Sequence, residues 1–120
     1  MRVRAFRGAT QLQSDNPIEM EEAVCELLLE VFSANQLATD DLISILFTST
    51  PDLVSDFPAK GARRLDLGSV PLMCAVEIDV PGSLSRIVRV MIHAHSNLEL
   101  GQIRHIYRRG AELLRQDIAQ

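Results

Sequence analysis

Lysine, tyrosine and cysteine are scarce in this chain. Lys60 is the single lysine, Tyr107 the single tyrosine, and Cys25 and Cys74 the two cysteines among 120 residues. Two cysteines are too few for a disulfide scaffold and read as free thiols, the state expected in a reducing cytoplasm. Long apolar runs are missing as well, since none approaches the ~18 residues that a membrane span needs. The opening MRVRAFRG has arginines with no apolar stretch behind them, which argues against a signal peptide. No G-x-x-x-x-G-K and no G-x-G-x-x-G occurs, so phosphate-cradling loops are not expected. Repeats and low-complexity segments are lacking too. A net charge of −4 argues against nucleic acid as a partner.

What the chain does contain is ample apolar material, 47% of its residues, which fits one packed globular domain over 1–120. At that length a chain buries roughly two thirds of its unfolded surface, so a core forms without staples. Of its twelve basic residues all but Lys60 are arginine. Arginine offers a planar fork that grips carboxylates bidentately, whereas lysine is a flexible point charge. Codon preference in a GC-rich genome is the blander and favoured account of the bias, so composition alone does not decide.

Residues 2–8 alternate charged and apolar side chains, the pattern of a half-buried strand. SDNPIEME reads as a helix start: Asn16 suits the N-cap, Pro17 the first helical position, and Glu19 the third position of a capping box. Behind it Ile18, Val24, Leu27, Leu28, Val31 and Phe32 recur at helical spacing, predicting about 18 residues of helix ending near Asn35. Its glutamates make a solvated face. After a second cap at Thr39, LISILFTST reads as a buried strand stopped by Pro51. Residues 51–69 read as loop with a short helical turn. The segments 70–80 and 84–96 read as two strands of a hairpin turning at Pro81-Gly82-Ser83. A short strand around 104–108 and a helical turn from about 111 complete the chain. The expected fold is α+β: a mixed, mostly antiparallel sheet of about five strands covered by one long helix.

Glu77 and Arg89 both interrupt apolar strand-like runs, where an unpaired charge costs several kcal/mol. In the hairpin they are about equally far from the turn and come near each other. Asp79 and Arg86 follow the same logic as surface partners. The blander reading of Glu77 and Arg89 is a cross-strand ion pair on a solvated face, which pattern alone slightly favours. The functional reading is a pocket that gathers Arg7, Arg89, Glu77 and Tyr107 to bind an anion carrying a hydroxyl group. His93 and His95 share a strand face and suggest a metal pair, but no third ligand stands at a persuasive spacing. His105 is isolated, and Cys74 lacks a nucleophile signature. The pocket chemistry then rests on positioned charges, without metal, cofactor or nucleophile.

The stretches VRAFRGAT, TPDL, FPAKGARRL, VPLMCAVEIDV, RIVRVM and QIRHIYRRGAELLR, in this order and spacing, resemble the AroH-class chorismate mutases over nearly the whole chain. The resemblance implies a homotrimer with a pseudo-α/β-barrel core, three active sites at subunit interfaces, and rearrangement of chorismate to prephenate in phenylalanine and tyrosine biosynthesis. By motif match, Arg89 faces the ether oxygen, Arg7 and Tyr107 hold the side-chain carboxylate, and Glu77 accepts from the ring hydroxyl beside Cys74. Met73 and Leu114 line the pocket, with Met73 standing where a small polar residue is common. Phe57, Lys60 and Arg63 form its rim, Arg64 is surface, and Arg115 belongs to the closing segment. The chain stops soon after LLRQDI, so the covering tail of longer relatives is expected to be short. Cys74 and Glu77, three apart, fall on opposite faces of a regular strand; either a bulge intervenes or they serve pockets in different subunits. A non-catalytic module binding an aromatic-pathway anion is the alternative reading, and a trimer whose arginines only join subunits is a third.

Overall fold

The structure, a computed structural model, describes residues 1–115. Five strands, β1 (Arg2–Gln11), β2 (Leu42–Ser49), β3 (Leu72–Val76), β4 (Ile87–Ser96) and β5 (Ile106–Arg108), form one sheet in the order β3-β2-β4-β1-β5. The central pairs β2–β4 and β4–β1 are antiparallel, while the outer pairs β2–β3 and β1–β5 are parallel. The mixed, chiefly antiparallel sheet on one long helix therefore stands.

That helix is α1 (Pro17–Ala34), and its bounds follow from local chemistry. Asn16 Oδ1 accepts from the backbone N–H groups of Ile18 and Glu19, two of the donors a helix start leaves unpaired. The expected capping box is only half made: the Glu19 carboxylate accepts from the backbone of Gln13 and Ser14 instead. Val24, Leu27, Leu28 and Val31 are fully buried against the sheet, each worth roughly 1.5–3 kcal/mol of burial. At the far end the buried Asn35 side chain donates to the carbonyls of Val31 and Arg104 and accepts from the Arg104 N–H.

The hairpin between 70–80 and 84–96 does not form. β2 lies between β3 and β4, and β3 runs parallel to β2 through Ile45↔Leu72 to Ser49↔Val76. Proline-glycine chemistry at 81–82 makes a turn, but a turn does not choose the strand's neighbour. Apolar segments pair wherever the core buries them best, and the antiparallel edge of β4 is already taken by β2. Asp79 and Arg86 are correspondingly not partners: Arg86 donates its side chain to the Leu12 carbonyl and Ser85 hydroxyl, and its backbone N–H to Asp52.

The two sheet faces differ. Phe6, Ile45, Phe47, Val88, Val90, Ile92 and Ala94 face α1 in the main core. On β1 the face carrying Val3 and Ala5 is the open one. On β2 an irregularity between Leu42 and Ser44 resets the alternation, so Ile45 and Phe47 face α1 while Leu46 and Thr48 point the other way. The expectation of a buried strand holds for the face toward α1 and is corrected for the other, where Leu46 is exposed. On the open face a small second cluster joins Ala9, Ile87 and Ala111 with Leu84 and Leu114.

Candidate active site

Strand alternation puts two adjacent rows of side chains on the open face. The register Thr48↔Arg89, Arg89↔Ala9 and Ala9↔Tyr107 aligns one row across four strands. The next row aligns Met73, Leu46, Met91 and Arg7. Ala9 contributes only a methyl group between Arg89 and Tyr107, which leaves a depression there. A hollow of about 220 Å³ results, lined by Arg7, Leu46, Thr48, Arg89, Tyr107 and Arg115 among others. Three guanidinium groups around one hollow favour an anion, and planar carboxylates match their donor geometry.

Glu77, one residue beyond β3, reaches across β2 to this row. Its Oε2 accepts from Arg89 Nε at 3.0 Å and from the Thr48 hydroxyl at 2.6 Å. The predicted proximity of Glu77 and Arg89 is thus real, but it spans two strands and not a hairpin. With Arg89 46% exposed, the ion pair contributes at most about 1 kcal/mol of stability. Its consequence is geometric: the Nε edge of the guanidinium is tied to Glu77 while the Arg89 side chain lines the hollow. Both bonds converge on Oε2, so Oε1 stays available to accept from a ligand hydroxyl.

The last strand and turn close the other side. Tyr107 is buried in β5, a strand only three residues long. Gly110, at φ 102°, then turns the chain back over the open face, so that the 3-10 turn Ala111–Leu114 covers Ala9. This carries Leu114 into the second cluster and Arg115 to the hollow. The expected covering tail, residues 116–120, lies outside the described residues.

Phe57, Lys60, Arg63 and Cys74 are not gathered there. Cys74 pairs with Phe47 and so faces α1. It lines a separate hollow with Phe57, Asp56, Ser49 and Val76. Through β3 the alternation is regular, with no bulge, and Cys74 and Glu77 fall on opposite sides of the sheet: Cys74 faces α1, while the Glu77 carboxylate reaches Arg89 and Thr48 on the open face. FPAKGARRL forms a 3-10 turn over Pro58–Arg64 docked on α1. A Cβ at Gly61 would stand 2.6 Å from the Cβ of Val24, so only glycine permits this approach. Lys60 is partly committed, its ammonium 2.9 Å from Asp56, whose carboxyl is held below the usual carboxylate range by that bond. Arg64 stands 3.7 Å from Glu21 and remains surface. Arg63 is exposed, with no ion-pair partner among the described residues.

Three contributors escaped the sequence reading: Thr48, Leu46 and His105. Thr48 and Leu46 looked like strand filler, and only the register reveals that they share the open face. His105 Nδ1 accepts the backbone N–H of Arg7 at 3.0 Å. Among the described residues, no cluster of three or more His, Cys, Asp or Glu side chains is arranged to hold a metal.

The family description "Chorismate mutase type I" matches residues 3–118. The chain is 40% identical over 117 residues to the chorismate mutase AroH of Thermus thermophilus, covering 97% of this chain and 96% of that protein. It is 35% identical over 120 residues to the Bacillus subtilis (strain 168) chorismate mutase AroH, covering 99% and 94%. A solved chorismate mutase from Clostridium thermocellum superposes with a TM-score of 0.90 at 43% identity, over 92% of this chain and 98% of that one. With that family match and these relatives, the chain belongs to the type I chorismate mutase family.

Proposed function

We propose that this chain, as a single domain, converts chorismate to prephenate by an intramolecular Claisen rearrangement, feeding phenylalanine and tyrosine biosynthesis. The observation that carries the reading is Arg89, tied at Nε by Glu77 and aimed with Arg7 and Tyr107 at one hollow. The substrate is a dicarboxylate with a ring hydroxyl, and its rearrangement needs no proton transfer and no covalent intermediate. Negative charge grows on the ether oxygen as the carbon–oxygen bond breaks. A fixed cation there stabilises the transition state more than the ground state. Arg89 supplies that cation. Arg7 and Tyr107 hold the side-chain carboxylate and keep the enolpyruvyl group folded over the ring. Glu77 accepts from the ring hydroxyl through Oε1. Thr48 keeps the Glu77 carboxylate turned so that Arg89 is not gripped by both oxygens.

The same reading makes the enzyme a homotrimer with a pseudo-α/β-barrel core and shared active sites. At about 220 Å³ the hollow is smaller than the ~300–1,000 Å³ usual for small-molecule sites, so one chain supplies part of a site. Along and beyond β3, Met73, Val76, Ile78 and Val80 expose apolar side chains, Ile78 at 86%. An edge of that kind calls for cover. In the trimer, Phe57, Lys60, Arg63 and Cys74 of one subunit complete the hollow of its neighbour: Phe57 packs near the ring, and Arg63 with Lys60 recruits the dicarboxylate. Met73 contributes to the wall through its backbone, and Leu114 and Arg115 close the site from the C-terminal side. The work is done in the cytoplasm without metal or cofactor; both thiols are free, and no described helix is long and apolar enough to cross a membrane.

Loss of chorismate, followed by its ultraviolet absorbance with the product identified as prephenate, tests the proposal. Binding of chorismate without turnover would leave the binding-module reading instead.

A further inference from the structure

The parallel ladder between β1 and β5 begins at Gly8↔Ile106 and continues through Ala9↔Tyr107. One step earlier, Arg7 stands opposite His105, and the Arg7 N–H goes to the imidazole Nδ1 at 3.0 Å. The ring therefore closes the open end of the ladder. It links the residue whose guanidinium lines the hollow to the strand that carries Tyr107, which lines it too. Its own backbone is anchored from behind, because Asn35 at the end of α1 binds both polar groups of Arg104.

A backbone N–H only donates, so Nδ1 must be unprotonated and the ring is the neutral Nε2–H tautomer. We propose that His105 is a positioning residue: as the neutral Nε2–H tautomer it fixes the Arg7 backbone against β5 and so sets the spacing of Arg7 and Tyr107 around the substrate carboxylate. This rests on the chorismate mutase reading for its catalytic consequence, but not for the tautomer. The charged groups acting on the ring are Arg7 on β1 and Arg115 beyond the last turn. Partial burial first, and then these two cations, hold its pKa below the ordinary histidine value. The ring is thus neutral at pH 7. Acidification removes the acceptor and adds a third positive charge beside Arg7 and Arg115.

Two substitutions and one spectrum test this. His105→Leu deletes the acceptor and should lower kcat/KM about tenfold at pH 7.5, the scale of one hydrogen bond. His105→Asn offers a side-chain oxygen to the same N–H and should restore most of that loss. It should also lack the decline in kcat/KM that the parent shows as His105 protonates below the ordinary histidine range. A stabilising role alone would lower Tm and leave the pH profile unchanged. In 15N-histidine protein, the resonances lost in His105→Asn should report the Nε2–H tautomer at pH 7.5, whether or not chorismate is turned over. An Nδ1–H tautomer, a parental kcat/KM in folded His105→Leu, or an unchanged acid limb in His105→Asn would overturn the proposal. Should His105→Leu not fold, the asparagine variant and the spectrum still decide.

Discussion

On the proposed reading Arg89 divides its guanidinium between Glu77 and the substrate, and Thr48 braces the Glu77 carboxylate. Glu77 takes the Nε edge through Oε2, and the Thr48 hydroxyl occupies the same oxygen. Arg89→Ala should lower kcat by at least ~10², the range seen when one preorganised donor is lost, with the far-ultraviolet circular dichroism unchanged. A near-parental rate in that variant would remove the central assignment; loss of assembly in its place would favour the reading in which arginines only join subunits. Thr48→Val keeps the shape and removes the hydroxyl. We expect it to reduce kcat/KM at least about tenfold, with Thr48→Ser close to the parent, because one hydrogen bond to a charged group is worth about 1.5–3 kcal/mol. Equal rates for the valine and serine variants would show that Glu77 needs no second anchor. At this scale the residue types were legible, since a glutamate and an arginine inside apolar runs demand an explanation. Thr48 and His105 were not legible, because each acts through a partner dozens of residues away.

Elements owe their placement to a few backbone-level choices. Asn16 caps α1 through two N–H groups, and Asn16→Ala should cost about 1 kcal/mol, seen as a fall of a few degrees in Tm. Gly61 allows the Pro58–Arg64 turn to sit directly on Val24. Gly61→Ala forces that contact apart, with an expected loss of about 1–3 kcal/mol in chemical denaturation. An unchanged midpoint would mean that the turn shifts freely on the helix. The bounds of helix α1 were readable because their signals lie within one or two turns: a cap, a proline and a 3.6-residue apolar period. The β3–β4 hairpin was misread because a turn sequence reports where a chain bends and not what the next strand pairs with. β3 pairs parallel to β2 instead, which a local pattern cannot announce.

For the whole molecule, the division of the candidate site residues between two separate hollows carries the testable consequence. If sites are shared, Arg89→Ala and Arg63→Ala subunits should each be nearly inactive alone, yet recover activity when unfolded together and refolded as a mixture. Random assembly of a closed ring gives about a quarter of the sites both intact halves. No recovery in mixed trimers would place the whole site within one chain. Sedimentation should give a trimer at working concentration. Chelators should leave the rate unchanged, and turnover should be flat from neutrality upward, since no proton moves in the reaction; a rate lost to a chelator would revive His93 and His95 as metal ligands.

The sequence by itself determined the helix and its ends, the strand segments to within a few residues, and the charged side chains that had to be accounted for. These follow from interactions between near neighbours along the chain. Tertiary structure alone decided which strands are adjacent, which face of β2 is open, and how Glu77 crosses β2 to Arg89. It also separated Cys74 from Glu77 and turned His105 toward Arg7. Those outcomes depend on register and on the competition of distant apolar segments for one core, where a shift of a single residue exchanges the buried and open faces.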